Sequence, residues 1–221
     1  MPNPILPLWE YIPDGEPRVF GDRVYLYGSH DRAAGHAFCD FKLKVWSASV
    51  DDLNHWQCHG DSFRTRDGAR KSDVDWATNE LYAPDVIEKD GKYYLYAYIV
   101  GSKGAIGVSD KPEGPFVAQP DPIKGSYSID PAIYEEDGKY YMYFGGLWGG
   151  QLQRYKDNKA LENAYLPEGK EDALPGRVVR LSEDMLGFAE DPRPVMILDE
   201  EGKPLTADNP YRFFEASWMH K

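Results

Sequence analysis

Apolar and polar residues alternate in short runs along this chain, with a period near two and little helical spacing. That pattern predicts β-strands. Three of the runs are built alike: Val24-Tyr25-Leu26-Tyr27, Tyr93-Tyr94-Leu95-Tyr96 and Tyr140-Tyr141-Met142-Tyr143. Each follows a short turn, Gly21-Asp22-Arg23, Asp90-Gly91-Lys92 or Asp137-Gly138-Lys139, and before each turn another apolar strand opens near a proline (Pro17, Pro84, Pro131). Counting eleven residues back from Tyr25, Tyr94 and Tyr141 lands on Asp14, Ala83 and Asp130. Two of the three units therefore carry an aspartate at the mouth of the first strand.

Further strands extend each unit. Lys44-Val45-Trp46-Ser47-Ala48 alternates and runs into Ser49-Val50-Asp51-Asp52-Leu53. A similar serine–aspartate–leucine pattern returns at Ser182-Glu183-Asp184-Met185-Leu186, with a variant at Ile106-Gly107-Val108-Ser109-Asp110. Repeated units of about four short strands are the mark of β-propeller blades. A sandwich or jelly roll also supplies short strands, but it does not account for one unit returning in one register. The expected fold is all-β, a propeller formed by residues 1–221 as a single domain. Two stretches break the rhythm. Ser62 to Glu80 is rich in charge, and Gln151 to Gly176 contains Lys156-Asp157-Asn158-Lys159-Ala160-Leu161-Glu162, read as a short helix within a solvated loop.

Composition narrows the functional classes. The 221 residues suffice for one sizeable core, 42% are hydrophobic, and 14% are aromatic, which suits both twisted sheets and sugar-stacking surfaces. A formal charge of −12 with no basic stripe argues against nucleic acid. No basic leader or long apolar run is readable, so neither a membrane span nor a signal peptide is expected, and a cytoplasmic location follows. Cys39 and Cys58 are too few for a disulfide framework. His55, Cys58 and His59 lie close together but lack a second ligand pair at zinc spacing, so no metal site is assigned. Gly145-Gly146-Leu147-Trp148-Gly149-Gly150 lacks the lysine and helix of a phosphate loop and reads as a bend.

Phe213-Phe214-Glu215-Ala216-Ser217-Trp218-Met219-His220 reads as the opening strand of a fourth unit, with Glu215 in the place of Asp130. Three acids would then stand at the starts of inner strands. With Asn3-Pro4-Ile5-Leu6-Pro7, Tyr82-Ala83-Pro84-Asp85-Val86 and Ser128-Ile129-Asp130-Pro131, this set resembles the five-bladed propeller enzymes of glycoside hydrolase family 43. The resemblance implies Asp14 as general base, Asp130 as the residue that tunes and orients the acid, and Glu215 as general acid. It departs from the family at Asp14-Gly15-Glu16-Pro17, where proline does not directly follow the first acid. Glu16 is thus a rival base, two residues out of register. Tyr82 replaces a common tryptophan, and Ala216-Ser217 replaces glycine-proline.

The implied activity is inverting hydrolysis of pentose-containing oligosaccharides, of β-xylosidase or α-L-arabinofuranosidase type, with no cofactor required. A retaining propeller enzyme and a non-catalytic sugar-binding propeller are the rivals. Tyr82, Trp76 and Trp148 are candidates for a stacking floor, and His30, after Tyr27-Gly28-Ser29, for a hydroxyl contact. Family resemblance also allows a structural calcium in the channel, which no pattern here identifies. Three blades and the first strand of a fourth leave the ring open. A second chain or chain fragment is therefore expected to complete it.

Overall fold

The computed structural model describes residues 4–65, 72–99 and 103–220, so Asn3 and positions 66–71 of the charged stretch lie outside the described residues. The chain forms two compact units, Met1–Pro122 and Ile123–Lys221.

The first unit holds two four-stranded antiparallel sheets. One runs β1 (Glu16–Phe20), β2 (Arg23–Tyr27), β3 (Lys42–Ser49), β4 (Asp52–Arg64); the other runs β5 (Leu81–Lys89), β6 (Lys92–Ile99), β7 (Lys103–Ser109), β8 (Val117–Ala118). The second unit opens its sheet with β9 (Ala132–Glu136) and β10 (Lys139–Phe144). A small hairpin, β11 (Tyr155–Lys156) and β12 (Lys159–Ala160), intervenes before β13 (Gly176–Arg180) and β14 (Arg193–Val195) complete the sheet. In all three sheets the strands pair in chain order. Among the described residues there is no α-helix, and no helix long and apolar enough to cross a membrane.

The turn residues explain the hairpins. Asp90 and Gly91 have φ of 53° and 75°, and Asp137 and Gly138 have 51° and 72°. Both central positions are left-handed, as a two-residue type I′ turn requires, and its twist matches that of the flanking strands. The serine–aspartate motifs make the outer turns. Ser182 Oγ donates to Asp184 Oδ1 at 2.6 Å, and Asp184 Oδ1 also accepts from Leu186 N at 3.0 Å.

Burial alternates along β2, whereas β3, β5, β6, β7 and β13 are buried at consecutive positions and so are covered on both faces. In the first unit Tyr25, Tyr27, Leu43, Val45 and Phe63 of one sheet pack with Leu81, Val86, Leu95 and Ala97 of the other and with Phe116 just before β8. An ion pair fastens the two inner strands. Arg18 of β1 donates through Nε to Asp85 Oδ1 at 2.8 Å and through Nη2 to Asp85 Oδ2, and the Asp85 side chain is fully buried. In the second unit Ile133, Met142, Phe144, Val179, Leu181 and Met185 are the buried counterparts.

Two expectations are corrected. Residues 156–162 are not helical: Asp157 and Asn158 have φ of 50° and 60° and form the turn of the β11–β12 hairpin, a conformation that a right-handed helix excludes. Phe213 to His220 forms no ladder among the described residues. One backbone bond, Leu147 N to Phe214 O at 2.9 Å, holds it to the loop after β10.

Candidate active site

The inner hairpins share one register. Glu16 pairs with Tyr27, Asp85 with Tyr96, and Ala132 with Tyr143, the same spacing in each blade. Two residues before each of these pairs the backbone turns left-handed, at Asp14 (φ 54°), Ala83 (φ 29°) and Asp130 (φ 59°). The repeat read from the tyrosines is thus a physical kink that leads the chain into the innermost strand. Aspartate tolerates this region better than most residues. In the second sheet the kink is a bulge between Tyr82 and Asp85.

The kink also separates Asp14 from its rival. Glu16 lies in the ladder itself, with Oε2 buried and its charge acting on Arg18. Asp14 is exposed, and its Oδ2 accepts a hydrogen bond of 3.0 Å from Ser29 Oγ. Ser29 is completely buried and accepts in turn from Ala83 N at 2.7 Å, so one hydroxyl ties together two equivalent kinks. Gly28 makes room for this approach. A Cβ there would stand 2.5 Å from Ile12 Cγ2 and 2.7 Å from Pro13 O.

In the second unit Asp130 Oδ2 accepts from Ala216 N at 3.2 Å, the amide immediately after Glu215. Glu215 is exposed. Gly146 sits beside Ile129 and Glu215, where a Cβ would come within 2.9 Å of Ile129 Cγ1 and 3.2 Å of Glu215 Cβ. Gly146 N donates to the buried Ser128 Oγ at 2.9 Å, a second serine anchoring a loop next to a kink. The left-handed position of this segment is Ala216 (φ 58°), one residue beyond Glu215. Without the proline that follows Asp130, sequence could not place the kink. Glu215 keeps its carboxyl one residue upstream of the kink.

The remaining candidates divide. Trp148 is 57% exposed with φ of 54°, and its backbone N–H donates to Gln153 Oε1 at 3.1 Å. Tyr82 is half-buried next to the Ala83 kink; burial, helped by Cys39 and Glu80, pushes its hydroxyl up to about 12, so it stays a neutral donor. Trp76 is partly buried against the core of the first unit, with its indole nitrogen buried. His30 lies between two carboxylates of the fold. Its Nε2 lies 2.7 Å from Glu10 Oε1 and its Nδ1 lies 3.4 Å from Asp40 Oδ2. Glu10 is the residue sequence reasoning missed. Its side chain is 1% exposed and also accepts from Lys44 Nζ at 3.1 Å and Trp46 Nε1 at 3.1 Å. Burial pushes Glu10 up, but the hydrogen bonds from His30 and Lys44 and the charge of Lys44 outweigh it and hold the carboxyl below the ordinary value. Cys39 is buried and Cys58 exposed, and neither is in a disulfide.

Residues 1–187 match the family model of glycosyl hydrolases family 43. A xylosidase/arabinosidase of Bacteroides ovatus is 52% identical, over 96% of this chain and 67% of its own length. Among solved structures, the Xanthomonas citri GH43_1 enzyme complexed with xylose superposes with a TM-score of 0.88 at 40% identity, over 99% of this chain and 65% of that one. A β-xylosidase/α-arabinofuranosidase from a compost metagenome, in a calcium-free form with xylotriose, gives 0.86 at 39%, over 99% and 69%. The chain thus spans about two-thirds of the relatives it matches, and its three sheets are blades of their five-bladed propeller. Among the described residues no group of three or more His, Cys, Asp or Glu is placed to hold a metal ion. The calcium named for that relative has no fitted site here, and no chemistry is assigned to it.

Proposed function

We propose, since the chain belongs to glycosyl hydrolases family 43, that it hydrolyses pentose-containing oligosaccharides as a β-xylosidase or α-L-arabinofuranosidase, with inversion at the anomeric carbon. Asp14 is the general base that takes a proton from water. Glu215 is the general acid that protonates the leaving oxygen, and Asp130 orients and tunes Glu215. Inversion needs one ionised and one protonated carboxyl on opposite faces of the sugar, about 6.5–9.5 Å apart so that water fits between. The observation that carries the reading is the hydrogen bond from the amide after Glu215 to Asp130, together with Asp14 on the matching kink of the first blade. A carboxylate one peptide away disfavours a second negative charge on Glu215 and keeps it an acid. The names of the relatives support the pentose: xylose and xylotriose occupy the two solved structures.

Sugar is the one ligand in this reading, and further blades, on this polypeptide or a second one, close the ring. The test is a set of chromogenic aryl glycosides with NMR of the first-formed sugar. Release from the xyloside or arabinofuranoside, not from hexosides, with the opposite anomer appearing first, is expected. No release from any pentoside, with sugar still bound, would make this a binding propeller. A first product with the substrate's configuration would make the enzyme retaining.

A further inference from the structure

The second unit contains a pocket that the acid–base chemistry does not use. The β11–β12 hairpin, the approach to β13 and the start of β14 enclose about 420 Å³, within the usual range of small-ligand sites. Arg177 of β13 lines it and is only 8% exposed. Nε donates to Tyr127 Oη at 3.1 Å, and Nη1 donates to the carbonyls of Pro175 at 2.6 Å and Gly176 at 3.1 Å. All these acceptors are uncharged. No carboxylate pairs with Arg177 among the described residues, and Nη2 makes no hydrogen bond with them.

A buried guanidinium without a counter-charge is costly, and an anion seated beside it removes the cost. The lining favours that outcome. Lys156 and Arg177 stand against one carboxylate, Asp157, in a chain whose net charge is −12. The rest of the wall suits a ring. Tyr155, already stacked on Tyr127 at a centroid distance of 4.4 Å, faces the pocket with Tyr165 and Pro192. Tyr165 is half-exposed. Aromatic and proline faces take the C–H face of a sugar, while Nη2, the one guanidinium nitrogen left without a protein acceptor, can donate a charge-assisted hydrogen bond to a carboxylate.

We propose that this pocket binds a carboxylate-bearing sugar, a hexuronate, with its carboxylate on Arg177 and Lys156 and its ring against Tyr155, Tyr165 and Pro192. Such a residue is a side group of the kind that decorates neutral sugar chains, so the pocket would read substrate decoration or anchor a decorated chain. The proposal goes beyond the hydrolytic reading and does not depend on it.

The experiment titrates the whole protein with sodium glucuronate, glucose and sodium acetate, followed by amide chemical shifts of the β11–β12 hairpin. Glucuronate is expected to bind at least about tenfold more tightly than either control. Lys156→Ala, at an exposed position, weakens glucuronate binding about tenfold without moving the thermal midpoint, and Asp157→Asn tightens it. Arg177→Lys, which keeps a charge but loses the Nη2 donor held in place by the other two nitrogens, weakens it at least about tenfold. Asp14→Asn binds glucuronate as the parent does, which separates this result from the fate of the hydrolytic assignment. Absence of binding overturns the proposal. So does acetate matching glucuronate (a bare anion site), glucose matching it (a site blind to charge), or an affinity untouched by Lys156→Ala and Asp157→Asn.

Discussion

Replacing Asp85 by asparagine keeps the shape of the side chain and removes its charge. The Asp85 side chain is fully buried, and that of Arg18 is 16% exposed. In the parent, burial would lower the Arg18 pKa and the Asp85 carboxylate and its hydrogen bonds more than reverse that; in the variant the guanidinium still keeps its proton, because arginine does not deprotonate in proteins. Asparagine still accepts one Arg18 N–H and the Val86 N–H that Asp85 Oδ1 accepts at 2.7 Å. Loss of the buried counter-charge that Arg18 bonds through two nitrogens, with the Glu16 charge still acting on it, should nonetheless cost about 3–5 kcal/mol. At about 2–4 °C per kcal/mol for a chain of this size, the thermal midpoint falls by about 6–20 °C. Denaturant titration and thermal melts monitored by near-ultraviolet circular dichroism measure both. The paired change Arg18→Met with Asp85→Leu removes both charges and should return to within about 1 kcal/mol of the parent. If Asp85→Asn lies within about 1 kcal/mol of the parent, the ion pair does not hold the inner strands together and the reasoning fails.

Ser29→Ala removes the hydroxyl that joins Asp14 to the Ala83 amide. Steady-state kinetics should show kcat down about 10–100-fold with KM little changed, because the base loses its orientation. The orphaned Ala83 N–H should add about 1–3 kcal/mol of instability, read from the same melts. Glu10→Gln should destabilise the protein at neutral pH, where the depressed carboxyl is charged in both folded and unfolded chains and is held by His30 and Lys44. Because that stabilisation is present above the unfolded value and is lost as pH falls through the lower folded one, the parent and the variant should converge in stability below about pH 4. A gap that persists or widens at acid pH would contradict the sign.

The repeated core of the fold was legible because its signals are local. Asp-Gly turns, paired tyrosines and period-two alternation each act within a hairpin, and the eleven-residue count reappears as the left-handed kinks at Asp14, Ala83 and Asp130. Where a local signal was absent, the reading slipped. Ala216 lacks the following proline that marks Asp130, so nothing in the sequence signals its left-handed backbone. Lys156 to Glu162 has helix-forming residues, but Asp157 and Asn158 prefer the hairpin turn. The contacts that hold His30 and anchor Asp14 are long-range. Glu10, 20 residues before His30, and Ala83, 54 residues beyond Ser29, meet them only through the fold.

The central claim rests on the choice of Asp14 over Glu16, two acids two residues apart, one at a backbone kink and the other in the strand that follows. Turnover of an aryl pentoside by Asp14→Asn and Glu16→Gln, measured side by side in a catalytically competent form, tests it most directly. Asp14→Asn should lose at least about 10²–10⁴-fold in kcat, since the attacking water has no base, while Glu16→Gln keeps most of its activity. If Glu16→Gln is the more damaging of the two, the base lies in the strand and not at the kink, and the account is wrong.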